Sequence, residues 1–194
     1  MRLMPNLPGR RWIVGSALVG LAWSWALGPT ALHAEGGESL STAPNFKVEG
    51  LDGKTYQLSD FLAKGPVFLD FWTTWCKPCM LELPELEKLQ KKYADRGFTL
   101  LTVASDDRKT AAKVKPLVKQ RGFEFPVLLD SKRDVGNQYN VRQYPTSYLI
   151  EPDGKIASVH VGYKPGDENA IEKELLELLP ESAPAMKSEG GGEN

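Results

Sequence analysis

Apolar and polar positions alternate in blocks through the middle of the chain, and these blocks predict alternating strands and helices. The run Val67–Trp72 is apolar except at Asp70, which is typical of a strand covered on both faces of a sheet. Beyond it, apolar side chains recur at helical spacing, which predicts a helix over 77–96 that is kinked at Pro84 and ends at Gly97. The same two patterns predict further strands at 55–58, 98–104, 125–129, 146–150 and 156–161, and further helices at 110–120, 133–139 and 167–179.

The order of the predicted elements gives the fold class. They follow each other as βαβαβαββα, and the turn Pro152-Asp153-Gly154 joins the last two strands as an antiparallel hairpin. Strands and helices that alternate in this way form a central sheet on which the helices pack. We therefore predict an α/β fold with a mixed central β-sheet and helices on both faces.

Both ends of the chain differ in composition from the middle. Arg10 and Arg11 precede an apolar stretch at 12–27, and small residues follow at Ala31 and Ala34, which is typical of a cleaved export signal. An uncleaved membrane anchor is the alternative, although the stretch is shorter than the roughly 20 apolar residues that span a bilayer. The C-terminal residues are polar and rich in glycine, a composition that does not order by itself.

These features divide the chain and place it in the cell. We predict a signal peptide or membrane anchor at 1–34, a linker at 35–42, one globular domain at 43–180 and a disordered tail at 181–194. Either fate of the N-terminal segment puts the domain outside the cytoplasm, in the periplasm or an equivalent space. Membrane contact is then expected only through the N-terminal segment, if that segment stays uncleaved.

The balance of charge argues against a nucleic-acid partner. The 194 residues include 24 lysines and arginines and 25 aspartates and glutamates. Three of the arginines precede residue 34, so the rest of the chain has 21 basic and 25 acidic side chains and a net charge of −4. A mildly acidic body does not attract polyanions.

The chain has two cysteines, Cys76 and Cys79, at the point where a predicted strand gives way to a predicted helix. Unpaired N–H groups and the helix dipole at such a position favour thiolate over thiol. Cys76 is therefore expected to attack a partner's disulfide, and Cys79 to resolve the mixed disulfide that forms. A purely structural bridge would close too short a loop to restrict the unfolded chain much. A zinc site needs four ligands, and only His33 and His160 remain to complete one, so we predict no metal.

Several motifs accompany the cysteines. Asp70-Phe71-Trp72-x-x-Trp75-Cys76-x-Pro78-Cys79 leads into the helix, Pro84 follows five residues later, and Tyr144-Pro145-Thr146 opens a strand. The set is completed by Ala43-Pro44-Asn45-Phe46, the turn Leu51-Asp52-Gly53-Lys54, Leu58-Ser59-Asp60-Phe61 and an extra βα unit at 110–129. Together these motifs resemble the thioredoxin superfamily and, within it, the exported TlpA/ResA-like thiol–disulfide oxidoreductases with a redoxin-type domain. The resemblance covers about residues 43–179.

The resemblance implies a thioredoxin-like fold with one or more extra N-terminal strands and a central βα insertion. It also implies a redox-active disulfide between Cys76 and Cys79, and no cofactor. Pro145 falls where the family has a cis proline opposite the active site, which would leave the backbone of Tyr144 free to pair with an extended client peptide. The residues expected to bind the client are Trp75, Lys77, Pro78, Tyr144, Pro145 and Thr146.

Two acidic residues near the cysteines are candidates for proton transfer. Asp70 interrupts an apolar strand, and the resemblance implies that it helps move a proton off Cys79, as the buried acid of thioredoxins does. A strand-end side chain that reaches water is the alternative for this residue. Glu82 lies one helical turn after Cys79, where some ResA-like proteins carry a glutamate, and a solvent-exposed helix side chain is an equal alternative. Carrying both acids departs from the family pattern, so the sequence leaves open which one handles the proton.

The residues between the cysteines bear on the direction of electron flow. Pro78 in second position resembles reducing thioredoxins rather than the Pro-His pair of strong periplasmic oxidants, and Lys77 shifts the couple only modestly towards oxidant. We therefore expect a reductase of protein disulfides, with cytochrome c maturation and respiratory copper-site assembly as candidate pathways. The partners implied by the resemblance are disulfide-containing client proteins and a membrane protein that donates electrons. We expect the protein to be a monomer.

Three other functions are possible on a fold of this kind. A peroxiredoxin has a threonine at the position of Thr73, but it also needs a proline where this chain has Leu69. A copper-delivery protein would have three residues between its cysteines and a distant histidine ligand. A periplasmic disulfide oxidase would differ from a reductase only in its redox potential.

Overall fold

The computed structural model describes residues 42–181. The predicted export signal or anchor, the linker up to residue 41 and the tail from residue 182 lie outside this range, and they stay predictions. Within the described residues, no helix is long and apolar enough to span a bilayer.

The described residues form strands and helices that alternate along the chain. The strands are β1 (Lys47–Glu49), β2 (Thr55–Gln57), β3 (Val67–Trp72), β4 (Thr99–Ala104), β5 (Val127–Leu129), β6 (Thr146–Ile150) and β7 (Ile156–Val161). The α-helices are α1 (Leu58–Leu62), α2 (Cys79–Tyr93), α3 (Val114–Arg121), α4 (Asp134–Gln138) and α5 (Asp167–Leu178). Short 3₁₀ turns lie at Ala94–Arg96 and Ala111–Lys113.

The central sheet has five strands in the order β5-β4-β3-β6-β7. β3 runs parallel to β4 and antiparallel to β6, while β5 is parallel to β4 and β7 is antiparallel to β6. β1 and β2 pair antiparallel in a separate small sheet. The mixed sheet, the hairpin of β6 and β7, the extra N-terminal strands and the inserted α3–β5 unit confirm the predicted thioredoxin-like fold.

β3 is the middle strand of the sheet and is buried along its whole length. Because side chains alternate along a strand, Phe68 and Trp72 pack into one hydrophobic core and Leu69 and Phe71 into another. Side chains of α2, α3 and α5 complete the first core, and side chains of α1 and α4 complete the second. Asp70 stands between Phe68 and Trp72 in the alternation, so it lies on the face that α2 covers.

The structure moves several predicted boundaries. Leu58 begins α1 instead of ending a strand, because Asp60 accepts the backbone N–H of Gln57 at 3.3 Å and caps the helix. The helix predicted over 77–96 begins at Cys79, and its last turn is a 3₁₀ turn. The sequence pattern does not predict β1, because a strand of three residues is too short to show a period.

Glycines end two helical segments, and one of these glycines, the predicted Gly97, is packed against another part of the chain. Gly97 after the 3₁₀ turn has φ 92°, and Gly122 after α3 has φ 69°, both in the left-handed region. A Cβ at Gly97 would lie 2.5 Å from the carbonyl oxygen of Lys64, whereas a Cβ at Gly122 would meet nothing within 4 Å. The chain therefore enters β4 in close backbone contact with the segment that leads into β3.

We expect Gly97→Ala to destabilise the protein more than Gly122→Ala does. Gly122→Ala adds only the cost of a left-handed alanine, about 1 kcal/mol, whereas Gly97→Ala adds a clash with backbone and should cost roughly 2–4 kcal/mol. Urea unfolding of the oxidised protein and of both variants measures the difference. Equal losses of stability would mean that the segment at Lys64 moves aside at no cost.

Candidate active site

The two cysteines lie at the N-terminal end of α2, just after the chain leaves β3. Cys79 is the first residue of the helix, and Cys76 lies in the turn before it, joined to Cys79 by a disulfide. Pro78 has φ −60°, which its ring imposes and a helix requires, so it starts the helix at this point. The structure thus confirms that the two cysteines pair with each other.

The two sulfurs differ in access and in hydrogen bonding. Cys79 is completely buried, whereas Cys76 keeps 4% of its surface exposed. The backbone N–H of Cys79 donates to the Sγ of Cys76 at 3.2 Å. Because an N–H at a helix start has no acceptor within the helix, it is free to stabilise negative charge on Cys76 once the disulfide opens. The geometry therefore fits Cys76 as the attacking cysteine and Cys79 as the resolving one.

A buried aspartate that the sequence analysis did not single out holds the turn before Cys76. Asp106 follows β4 and accepts two hydrogen bonds from Thr74, one from the backbone N–H at 2.8 Å and one from the hydroxyl at 2.6 Å. The N–H of Cys76 donates to the carbonyl oxygen of Thr73 at 3.2 Å. None of these bonds uses a sulfur atom as donor or acceptor, so the turn does not depend on the disulfide for its shape.

A cleft of about 840 Å³ opens beside Cys76. Trp75 lines it and is 64% exposed, and its ring meets the ring of Tyr144 edge to face with the centroids 5.9 Å apart. Of the residues expected to bind a client, Lys77, Pro78 and Tyr144 also line this cleft. The remaining lining residues are Ser105, Asp107, Arg133, Arg142 and Gln143.

Pro145 and Thr146 are buried, and neither lines the cleft. The Tyr144–Pro145 peptide bond is cis, as the resemblance implies. The hydroxyl of Thr146 donates to the carbonyl oxygen of Gln143 at 2.9 Å, and the carbonyl oxygen of Pro145 accepts the N–H of Gly162 at 2.9 Å. These groups are satisfied within the protein, and a role for either residue in binding a client stays a prediction.

Asp70 and Glu82 are both buried and share one hydrogen-bond donor. Ser147 lies directly opposite Asp70 in the pairing of β3 with β6. Its hydroxyl donates to Oδ1 of Asp70 at 2.9 Å and lies 3.5 Å from Oε1 of Glu82. The second oxygen of each carboxyl group is buried and has no hydrogen-bond partner among residues 42–181. The alternatives of a water-exposed Asp70 and a solvated Glu82 are therefore wrong.

Burial sets the protonation of this pair of carboxyl groups. It raises the pKa of Asp70, against the opposing effect of the hydrogen bond from Ser147. It also raises the pKa of Glu82, which the nearby charges of Asp70 and of Asp167 at the start of α5 raise further. Because the charged forms are disfavoured, the pair keeps at least one proton at neutral pH.

Ser147 is the member of this group that sequence reasoning missed. Its hydroxyl is one of three in strand β6, beside those of Thr146 and Tyr148, so the local sequence does not single it out. Its partnership with Asp70 depends on the register of two strands that are 77 residues apart in sequence, and no short motif encodes that register.

The remaining histidine of the described chain is occupied elsewhere. His160 lies on β7, and its Nε2 is 2.9 Å from Oε2 of Glu174 on α5. Within residues 42–181 no group of three or more histidine, cysteine, aspartate or glutamate side chains could hold a metal ion. His33 lies outside the described residues, and the expectation of no metal site stays a prediction.

Sequence comparisons place the chain among known proteins. The model of the AhpC/TSA family matches residues 40–159. The thiol–disulfide oxidoreductase ResA of Bacillus subtilis (strain 168) is 42% identical over 142 residues, which cover 71% of this chain and 78% of ResA. The thioredoxin-like protein YneN of the same organism is 37% identical over 157 residues, which cover 79% of this chain and 91% of YneN.

Comparisons with solved structures agree. The thiol:disulfide interchange protein DsbE from Chlorobium tepidum superposes with a TM-score of 0.67 at 34% identity, over 72% of this chain and 96% of that one. The exposed lipoprotein thioredoxin Etrx1 from Streptococcus pneumoniae strain TIGR4 gives a TM-score of 0.59 at 36% identity, over 70% of this chain and all of that one.

We expect the free energy of unfolding of the oxidised protein to fall as the pH rises above about 5. Unfolded carboxyl groups lose their protons near pH 4, whereas the native pair keeps at least one, so the native state binds more protons in this range. Each retained proton lowers the stability by about 1.4 kcal/mol per pH unit until the pH passes its raised folded-state pKa.

Glu82→Gln should flatten this fall above neutral pH, and the double variant Asp70→Asn/Glu82→Gln should remove it. Urea unfolding at pH 5 to 9 measures the slopes. The control is Glu85→Gln on the same helix, because Glu85 is partly exposed and its partner is Lys88 at 2.8 Å; this variant should keep the wild-type slope. A double variant with the wild-type slope would show that the pair does not retain a proton.

Proposed function

This chain belongs to the AhpC/TSA family of the thioredoxin superfamily and is a thiol–disulfide oxidoreductase, and we propose that it reduces protein disulfides outside the cytoplasm. The observation that carries the proposal is the asymmetry of the dithiol. Cys76 lines a cleft and keeps 4% of its surface exposed, whereas Cys79 is enclosed one helical turn before Glu82, a member of a buried carboxyl pair that keeps at least one proton.

The reaction transfers two electrons from the reduced protein to a client. The Cys76 thiolate attacks one sulfur of the client disulfide, so that the client S–S bond breaks, a mixed disulfide forms and one client thiolate leaves. The Cys79 thiol then loses its proton and attacks the Sγ of Cys76. The mixed disulfide breaks, the second client thiolate leaves, and the Cys76–Cys79 disulfide closes.

The proton of Cys79 needs an acceptor away from water, because Cys79 has no exposed surface. Asp70 and Glu82 are the acids placed for this role, with Ser147 between them. Burial and the neighbouring acids raise the pKa of Glu82, so Glu82 keeps its proton at rest, and Asp70 in its charged form is the acceptor. We propose that the two acids titrate as one coupled pair and that this pair takes up the proton of Cys79. This role would explain why the chain has both acids.

The direction of electron flow is supported by the residues around Cys76. A strong oxidant stabilises its own reduced form, and among the described residues no histidine lines the cleft to do so. Lys77 contributes one exposed charge, which solvent screens. These features favour a reductant over a disulfide oxidase.

The location and partners follow from the N-terminal segment and the relatives. The basic and apolar residues before position 34 support export, and one structural relative is an exposed lipoprotein. After each turnover the Cys76–Cys79 disulfide has to be reduced again by an external dithiol, which we assign to a membrane electron-donor protein. The candidate pathways are cytochrome c maturation and respiratory copper-site assembly, and the clients would be proteins of one of these pathways.

We expect the redox potential of the Cys76/Cys79 couple to lie near the thioredoxin value of about −270 mV and well below the value of about −120 mV of a strong periplasmic oxidant. Equilibration with defined ratios of reduced to oxidised dithiothreitol, followed by thiol labelling, measures it. A potential near that of the oxidant, together with efficient oxidation of reduced unfolded proteins, would contradict the proposed reductase and support a disulfide oxidase instead.

We also expect Cys79→Ser to accumulate a mixed disulfide with a disulfide-containing substrate such as insulin, because the resolving thiol is gone. Cys76→Ser should form none, because Cys79 is enclosed. Non-reducing electrophoresis separates the two results. A mixed disulfide through Cys79 in the Cys76→Ser variant would mean that Cys79, and not Cys76, is the attacking cysteine. Consumption of hydrogen peroxide by the reduced wild-type protein would favour a peroxidase.

A further inference from the structure

We propose that the cleft beside Cys76 selects clients that carry carboxylate side chains next to the disulfide to be reduced. The proposal deepens the function above and rests on it. The occupant that we assign to the cleft is an extended acidic segment of the client protein.

The charge of the cleft is opposite to the charge of the protein as a whole. Lys77, Arg133 and Arg142 line it against a single carboxylate, that of Asp107. The chain from residue 34 onwards has a net charge of −4, so this concentration of positive charge is local. Within the described part of the chain, none of the three cations has a carboxylate partner within 4 Å.

Arg133 is held in place by the protein before any client arrives. Its backbone is in the left-handed region with φ 62°, and its guanidinium lies 5.8 Å from the centre of the Tyr144 ring. One of its N–H groups donates to the carbonyl oxygen of Val141 at 2.9 Å. A fixed guanidinium loses less entropy on binding than a mobile one does, so it is suited to recognition.

Arg142 is fixed in a similar way and keeps most of its donors. Its Nε donates to the side-chain oxygen of Asn140 at 3.0 Å, and Asn140 itself has a left-handed backbone with φ 53°. The two Nη groups of Arg142 make no hydrogen bond to residues 42–181. Two parallel N–H donors of a guanidinium match the two oxygens of a carboxylate.

The other polar groups of the cleft do not cancel this charge. Oδ1 of Asp107 accepts three hydrogen bonds from its own turn, from the backbone N–H groups of Lys109 and Thr110 and from the Thr110 hydroxyl. Ser105 is buried and lines the cleft, and its hydroxyl has no partner among the described residues.

The expected selectivity is modest, because the cations are exposed. Pairs of exposed charges contribute about 0.2–1 kcal/mol each, which corresponds to a factor of roughly 1.4 to 5 in a rate or binding constant. Two arginines acting together should therefore favour an acidic over a neutral client roughly two- to 25-fold. Added salt should weaken the preference, since the screening length falls to about 3 Å at 1 M.

The test uses three disulfide-bonded peptides that differ only at the two positions next to one cysteine, which are occupied by Glu, Gln or Lys. The reduced protein is mixed with each peptide, and the second-order rate constant of peptide reduction is measured at low salt. Each value is divided by the rate of the same peptide with dithiothreitol, which corrects for the intrinsic reactivity of its disulfide. We expect the order Glu, then Gln, then Lys, and a smaller spread at 0.5 M salt.

Variants then identify the source of the preference. Arg133→Gln and Arg142→Gln should each lower the Glu-to-Gln ratio, and the double variant should bring it close to one. Lys173→Gln, which removes an exposed cation on α5, should keep the wild-type ratio. Because the ratio compares two peptides on one protein sample, partial misfolding of a variant does not change it.

The outcomes separate this proposal from the proposed function. Equal rates for all three peptides, or a Glu preference that survives in the double arginine variant, would overturn the selectivity and leave the reductase in place. Failure to reduce any of the peptides would contradict the reductase itself.

Discussion

The hydroxyl of Ser147 has one proton, and it lies between two buried carboxyl groups. It donates to Asp70 at 2.9 Å, and its separation of 3.5 Å from Glu82 is too long for a second strong hydrogen bond. One of the acids must therefore carry its own proton at neutral pH, because two bare carboxylates in a dry site repel each other and lack solvation. Glu82 follows Cys79 by one helical turn, and the proposed reaction depends on this pair accepting a proton and returning it.

The sheet produces this arrangement through simple alternation. Every second side chain of β3 faces α2, and Asp70 takes one of those positions between two large aromatic rings. The strand next to it brings Ser147 to the same level, and the helix that begins at Cys79 brings Glu82 one turn later. Buried acids of this kind lower the stability of the fold, and they are tolerated here because β3 is covered on both sides by well-packed cores.

The sequence predicted most of this fold, and the misses have physical causes. The bounds of β3, β6 and β7 are those expected, because continuous apolar runs and a Pro-Asp-Gly turn mark them locally. The cap at Asp60 competes with a strand-like pattern, so Leu58 begins a helix where the pattern predicts the end of a strand. The burial of Glu82 could not be read from its own helix, because it depends on the sheet beneath. Asp106, Ser147 and the two arginines of the cleft come from separate segments that only the tertiary fold brings to the dithiol.

The complete enclosure of Cys79 has a consequence for turnover. Every exchange with another protein has to pass through the sulfur of Cys76, whether the partner is a client that takes electrons or a donor that supplies them. In the proposed reductase the client and the donor therefore occupy the same surface in turn and exclude each other, and no ternary complex of donor, enzyme and client is expected. The catalytic cycle is then of the ping-pong type, and an excess of either partner acts as a competitive inhibitor of the other.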